Sequence, residues 1–419
     1  MKKSLFALAA LTAFAGAASA QSSVTVYGIL DVGYIGGNSS AVVNSTATKT
    51  TGNAFSDSAE STSRLGFKGT EDLGGGLSAF FTVEQAITPN SSSAFSSGAT
   101  ANRQTFVGLK KNGIGDFAVG TQYTPIHNAV NATDAGQANN MVGDVIYPVN
   151  SKLPGAAAAA ATVGATGQDN NASYTVRVNN SLTVNSANFA GFQAHGLVVA
   201  NNSNTNQTVT NSTTVTGGTN NQNGWGLGAD YTWNKLFATA NYQSLSATNP
   251  YAPAVAQTAT SAAVAAVGSP TVFGVGGASA LGTNVHDNQG YVAATYDFGI
   301  LKAYAQWVTR KVTYSENSGY YVKRQAEQIG VRSFITPTIE GWASAGLGRY
   351  TAYGTGQPTA NFNAWQLGAN YWLSKRTNLY AIVGAENTSN YSTVSASGTA
   401  TGTNSLNTNG YALGVRHTF

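Results

Sequence analysis

Tyr411-Ala412-Leu413-Gly414-Val415-Arg416-His417-Thr418-Phe419 is the stretch from which the fold is read. Tyr411, Leu413, Val415, His417 and Phe419 are aromatic, apolar or amphipathic, whereas Ala412, Gly414, Arg416 and Thr418 between them are small or polar. A period of two marks a β-strand with one greasy face and one wet face. A sequence that stops inside such a strand suits a closed barrel in a bilayer, whose last strand pairs with its first so that no edge groups lack partners.

The other end of the chain agrees. Lys2 and Lys3, an apolar run from Leu5 to Ala15 and the small residues Ala18-Ser19-Ala20 have the form of a signal peptide over 1–20. The barrel is then expected over 21–419, with Gln21 as its first residue. The apolar run is too short for a transmembrane helix, which needs about 20 residues. Cysteine is absent, which fits passage through an oxidising compartment without disulfides. The 48 glycines, 20 tyrosines and only 9% charged residues, beside an ordinary 42% hydrophobic content, suit apolar residues spread over alternating positions of many strands. Without Lys2 and Lys3, 19 basic residues face 17 acidic ones, a charge of +2 that is too weak to argue for nucleic acid.

Alternation predicts sixteen strands, near 23–35, 61–70, 77–87, 102–111, 115–123, 176–185, 189–200, 224–233, 235–246, 289–298, 300–313, 323–335, 338–350, 362–373, 376–387 and 408–419. Long and tight connections alternate between them, so long loops share one rim and tight turns the other. That is the layout of an outer-membrane barrel, long loops outside and short turns in the periplasm. The long segments 201–223, 247–288 and 388–407 are rich in Asn, Thr, Ser, Gly and Ala and read as solvated loops. The connection after Tyr123 differs. It runs for about 50 residues, with His127, Asp134, Asp144, Tyr147, Pro148 and the run Ala156–Ala161, and such length is usually functional.

Several segments carry a family resemblance. Ser23-Val-Thr-Val-Tyr27-Gly28-Ile-Leu-Asp31, Ser63-Arg64-Leu65-Gly66-Phe67-Lys68-Gly69-Thr-Glu71-Asp72-Leu73-Gly74 and Asn102-Arg103-Gln104-Thr-Phe106-Val107-Gly108-Leu109 lead the series. Arg177-Val-Asn179-Asn180-Ser181, Asn188-Phe189-Ala-Gly191-Phe192, Leu373-Ser374-Lys375-Arg376-Thr377 and Gly414-Val415-Arg416-His417-Thr418-Phe419 complete it. Together they resemble the general porins of Gram-negative bacteria, of the betaproteobacterial type. The resemblance implies a homotrimer of sixteen-stranded antiparallel transmembrane β-barrels, each with its third long loop, here 124–175, folded inward as a constriction. It also implies a terminal phenylalanine, Phe419, that serves as the assembly signal, and basic wall residues facing acidic groups near the loop.

Side-chain alternation sorts the candidates. Leu65 and Phe67 face lipid, so Arg64, Gly66 and Lys68 face the lumen. Phe81 and Val83 oppose Ser78, Phe80, Thr82 and Glu84, and Val176, Val178 and Leu182 oppose Arg177, Asn179 and Ser181. On 102–109 the alternation leaves Arg103 opposite Gln104, Phe106 and Gly108, and the resemblance places Arg103 in the pore. An arginine on the lipid face near mid-depth would cost about 2–4 kcal/mol. The constriction is therefore expected at Arg64, Lys68, Glu84, Arg103 and Arg177, with Asp134 and Asp144 on the opposing loop. Thr121 departs from the family pattern, in which a basic residue is common, and predicts a thinner basic wall. Trp225, Trp233, Trp307, Trp342, Trp365 and Trp372 suit interfacial girdles.

No catalytic or metal site is legible. His127, His195, His286 and His417 are scattered without ligand spacing, and Gly224-Trp225-Gly226-Leu227-Gly228 lacks a nucleotide-binding pattern. No cofactor is expected. The expected partners are outer-membrane lipid, lipopolysaccharide, and small hydrophilic solutes and ions that cross by passive diffusion with a preference for anions. The alternative is an outer-membrane adhesin or surface structural β-protein, suggested by the polar loops, although regular short repeats are lacking.

Overall fold

The computed structural model describes residues 23–43, 46–92, 94–95, 102–148, 169–210, 214–248, 285–314, 321–352, 359–394 and 400–419. The expected signal peptide, the run Ala156–Ala161 and most of the 247–288 loop lie outside the described residues. The elements in chain order are β1 (Ser23–Val43), β2 (Thr46–Asp57), β3 (Arg64–Gly74), β4 (Leu77–Ala86), β5 (Asn102–Lys111), β6 (Gly115–Tyr123), α1 (Pro125–Thr133), β7 (Asp169–Asn170) and β8 (Thr175–Ser186). They continue as β9 (Phe192–Thr210), β10 (Thr214–Trp233), β11 (Leu236–Thr248), β12 (Val285–Asp297), β13 (Lys302–Tyr314), β14 (Tyr321–Phe334), β15 (Ile339–Ala352), β16 (Ala360–Trp372), β17 (Thr377–Val394) and β18 (Ala400–Thr418).

All neighbouring strands pair antiparallel, and β1 closes the sheet on β18 from Ile29↔Thr418 to Val42↔Ser405. The seam is completed by two main-chain bonds between Gly28 and Phe419. Closure leaves no edge unpaired in lipid, where each unsatisfied backbone group costs several kcal/mol. The wall has sixteen staves. β2 and β3 share one edge of β1, with Ser23–Ile29 pairing to β3 and Val32–Val43 to β2, so they form a single interrupted stave. β7 is a two-residue strip belonging to the loop inside the barrel.

Three segments read as loops continue as hairpins. β9 and β10 pair as far as Thr210 and Thr214, β1 and β2 as far as Val43 and Thr46, and β17 and β18 as far as Val394 and Ala400. A ladder that has left the apolar band has water on both faces, so its residues need not alternate in polarity and the periodic signal disappears.

Within the band alternation is regular on most staves. On β16 the inward positions Phe362, Ala364, Gln366 and Asn370 are buried, while Trp365, Leu367 and Tyr371 face out. Trp225, Trp233, Trp307 and Trp365 are likewise exposed on the outer wall. Trp342 and Trp372 are not girdle residues. Trp342 is buried with Met141, Tyr380 and Ile382, and Trp372 donates to Glu340 and lies under the Arg416 guanidinium. Both sit on inward positions, where the Trp342 indole packs against the internal loop and the Trp372 indole against wall charges.

Candidate functional site

The long connection after β6 enters the barrel as expected. Thr124 caps α1, its hydroxyl accepting from the His127 N–H at 3.2 Å, and Pro125 opens the helix. Ile126, Ala129 and Val130 are buried in one cluster with Tyr291, Ala293 and Val308 of the inner wall. The helix ends at Asp134, whose N–H donates to the Val130 carbonyl.

Beyond α1, long polar side chains from successive staves hold the loop. Arg332 donates to the Ala135 carbonyl, and Gln366 donates to the carbonyls of Met141 and Val142 at 2.7 and 3.0 Å. Arg324 donates to the Val145 carbonyl and to Ser173 Oγ, and Gln328 accepts from the Val145 N–H. Arg310 donates to the Asn171 carbonyl at 2.6 Å, and Gln289 accepts from the Thr175 N–H. Two of these arginines carry their own counter-charge, Arg310 with Asp287 at 2.6 Å and Arg332 with Glu340. Arg324 lies instead over the Phe362 ring, 4.4 Å from its centroid. At the far side Asn140 donates to the Ser58 carbonyl and Thr62 Oγ1, tying the loop to the break between β2 and β3.

The two loop acids face the wall. Asp134 and Asp144 are both buried. Asp134 accepts from the Ala138 N–H and Gln328 Nε2, and Asp144 from the N–H groups of Ile146 and Tyr147. Burial, and then the charge of Asp144, raises the pKa of Asp134 well above the usual carboxylate range. Burial raises that of Asp144 too, opposed by its backbone donors. On the lumenal side the described part of the loop exposes Asn128, Asn131, Ala132 and Gln137, none of them charged. His127 is also uncharged at neutral pH, because burial and then the nearby arginines push its pKa well below the ordinary value.

These shifts have a sign. A carboxyl whose pKa is raised in the docked loop binds protons more tightly there than in water, so docking weakens as pH climbs from the ordinary carboxylate range through the raised value. Native single channels are expected to show more frequent current fluctuations as pH rises from 5 to 9. Asp134→Asn keeps an acceptor and removes one of the two charges, leaving Asp144 to titrate, so its fluctuation rate should rise less steeply. An equally steep rise in that variant would refute the role of the acid.

Across the remaining opening stands the basic wall. Tyr27, Gly66, Glu84 and Gln104 are paired across β1, β3, β4 and β5. Glu84 accepts from Arg103 Nε at 2.8 Å and from the Tyr27 hydroxyl at 3.1 Å, with Arg64 Nη1 at 3.7 Å. Arg103 Nη2 reaches the Tyr123 hydroxyl, and the Arg177 guanidinium lies 5.9 Å from the Tyr123 ring centroid. The ambiguity at Arg103 is settled by a bulge. Pairing jumps from Glu84↔Gln104 to Gln85↔Asn102, so Arg103 is the extra residue and turns inward beside Gln104. Re-aiming one side chain is what such a bulge does.

Lys68 is exposed on the Arg64 face, with its ammonium 5.1 Å from the centroid of the Tyr27 ring. Thr121 pairs with Thr105, on the opposite face from Gln104 and Phe106, so its departure from the family pattern leaves the lumenal wall unchanged. The structure thus brings Arg64, Glu84, Arg103, Arg177 and Lys68 to one side of the opening and withdraws Asp134 and Asp144 from it. Sequence reading missed Arg310, Arg324, Arg332 and Gln366. Their signal was a long polar residue on the buried face of a strand, which alternation alone could have flagged.

Comparison with known proteins follows the same lines. A profile of the family described as Gram-negative porin matches residues 7–391. Outer membrane porin protein 32 of Delftia acidovorans is 38% identical over 194 residues, 46% of this chain and 48% of that one, so the match spans about half of that relative's length. An outer membrane porin protein of Bordetella pertussis is 26% identical over 408 residues, 91% of this chain and 93% of its own. Among solved structures, the anion-selective porin from Comamonas acidovorans superposes with a TM-score of 0.65 at 22% identity, covering 95% of this chain and 100% of that one. The trimer form of Vibrio cholerae OmpT gives 0.56 at 13%, over 95% and 99%. At these identities the superpositions show the fold.

Proposed function

The chain belongs to the Gram-negative porin family, and from that premise we propose that its barrel is a passive, water-filled channel for small hydrophilic solutes and ions that prefers anions. It is an outer-membrane β-barrel protein. The observation that carries the anion preference is the asymmetry of the opening: Arg64 and Arg103 share one carboxylate, Glu84, with Arg177 beside them over the Tyr123 ring, while Asn128, Asn131 and Gln137 are the polar side chains that α1 and its C-terminal turn expose and Asp134 and Asp144 are buried. Guanidinium stays charged at any working pH, so the imbalance attracts anions throughout. In this reading Asp134 and Asp144 clamp the loop and contribute little to the lumenal field. Lys68 adds charge near the opening.

Transport needs no chemical step, and the reading includes neither catalysis nor a cofactor. The preferred assembly is a homotrimer, supported by the trimeric form of the Vibrio relative. Phe419, whose main chain closes the seam on Gly28, is the proposed assembly signal. Outer-membrane lipid and lipopolysaccharide would cover the apolar outer wall.

The test is the zero-current potential of the purified protein in a planar bilayer under a potassium chloride gradient. Stepwise conductance with a chloride-favouring potential is expected, weakening toward 1 M salt, where the screening length falls to about 3 Å. A potassium-favouring potential would overturn the anion preference. Absence of conductance from a folded, inserted barrel would overturn the channel and favour the adhesin alternative.

A further inference from the structure

We propose that the outer faces of β13, β14 and β15, at the rim of long connections, hold the phosphorylated headgroup of a membrane lipid, lipopolysaccharide, through Lys311, Lys323 and Arg349. The inference rests on the outer-membrane placement and names a site for the lipid partner. Arg310, Arg324 and Tyr350 are buried inside the barrel, so alternation turns Lys311, Lys323 and Arg349 outward. Lys311 and Lys323 are direct cross-strand partners, and Arg349 pairs with Gln325, two residues along β14 from Lys323.

Side chains directly opposite lie about 5 Å apart and diagonal neighbours about 7–8 Å, so the three cations reach one headgroup. Like charges placed directly opposite repel, and an anion between them reverses the sign of that interaction. Among the described residues no carboxylate comes within ion-pair distance of any of the three. Lys311 packs on Tyr321 of the same outer face, 4.6 Å from its ring centroid.

The position relative to lipid selects the occupant. Toward mid-membrane the same outer faces carry Trp307, Ile329, Val331 and Leu347, all exposed. Glu327 is the acid on these three faces, paired with Trp307 and Leu347, which leaves three cations against one anion. A cationic cluster sitting on the edge of a continuous apolar band matches a phosphate joined to acyl chains. A free phosphate would find no enclosure there. Long connections lie on the outer side of such barrels, so the cluster meets the outer leaflet.

The test titrates the delipidated native barrel with the phosphorylated lipid A portion of lipopolysaccharide and counts bound lipid by native mass spectrometry. K311Q/K323Q/R349Q is expected to bind roughly 100-fold more weakly, from about 1 kcal/mol per cation near a charged surface. K110Q/K111Q/K235Q, at the tight-turn rim, removes the same charge and should bind nearly as the native protein does. Lys323→Gln alone should give an intermediate loss. Equal loss in both triple variants would reduce the effect to diffuse charge and overturn the site, as would native-like binding by the first. Displacement of lipid A by millimolar inorganic phosphate would assign a bare phosphate site and overturn the lipid. Conductance and zero-current potential, recorded beside, should not change because the three residues face away from the lumen, so failure here is distinct from failure of the channel.

Discussion

Replacing Arg310 with methionine is expected to release one end of the internal loop and raise single-channel conductance and current noise together. Arg310 is fully buried and holds Asp287 at 2.6 Å, while the same guanidinium donates to the Asn171 carbonyl on the loop. Removing it leaves a buried carboxylate without its counter-ion, a loss of about 3–5 kcal/mol, as well as the bond to the loop. Asp287→Asn in the R310M background removes the stranded charge and should recover most of the stability toward denaturant. It should not recover the loop contact, so the noise is expected to persist. If R310M keeps native conductance and native noise, the arginine is a wall-stabilising pair and the loop is held by other means.

Changing Arg64, Arg103 and Arg177 to glutamine in one chain is expected to abolish the anion preference. A unit charge about 8 Å from a passing ion contributes about 0.5 kcal/mol in water, so three together give about 1.5 kcal/mol and a roughly tenfold change in permeability ratio. The variant leaves Glu84 and Lys68 as the remaining charges of the cluster, so the potential should fall to near neutral. Glu84→Gln should strengthen the anion preference instead, because it keeps an acceptor for Arg103 and Tyr27 but removes the negative charge that offsets Arg103 and Arg64. The measurement is the zero-current potential at 0.1 M against 0.5 M salt. An unchanged potential in the triple variant would move the selectivity away from this cluster, and a normal conductance in the same record would show the barrel intact.

How much of this could be read in advance depended on which solvent a residue faces. The staves were legible because lipid on one side and water or loop on the other force alternation, as on β16, where Phe362, Gln366 and Asn370 turn in while Trp365 and Leu367 turn out. The hairpins beyond the band were not, since Asn202 and Asn223 meet water on the exposed ladder regardless of direction. Trp342 and Trp372 were misplaced for a related reason. Tryptophan suits an interface and also suits packing against an internal loop, and only the register on β15 and β16 decides between them.

The constriction divides along the same line. Arg64 and Glu84 follow from strand period alone, because their neighbours Leu65, Phe67 and Val83 claim the lipid face. Arg103 does not follow, because its bulge is a local irregularity of pairing between β4 and β5. Asp134 and Asp144 were placed on the loop correctly, yet their direction was illegible. Which way a loop carboxylate points depends on Gln328, reached across 194 residues of sequence, and on the loop's own N–H groups.

By itself, then, the sequence determined what the bilayer demands: strands of period two, a closed seam between first and last strand, an alternation of long and tight connections, and the lumenal address of Arg64 and Glu84. Tertiary structure decided what the lumen does with them. Inside the barrel no uniform solvent imposes a pattern, and a side chain there is governed by which particular partner lies across the cavity. Arg310, Arg324 and Arg332 became fastenings because the loop folded against their staves, and Arg64, Arg103 and Arg177 became the basic wall because they gather around Glu84 and Tyr123 on the side where those fastenings are absent.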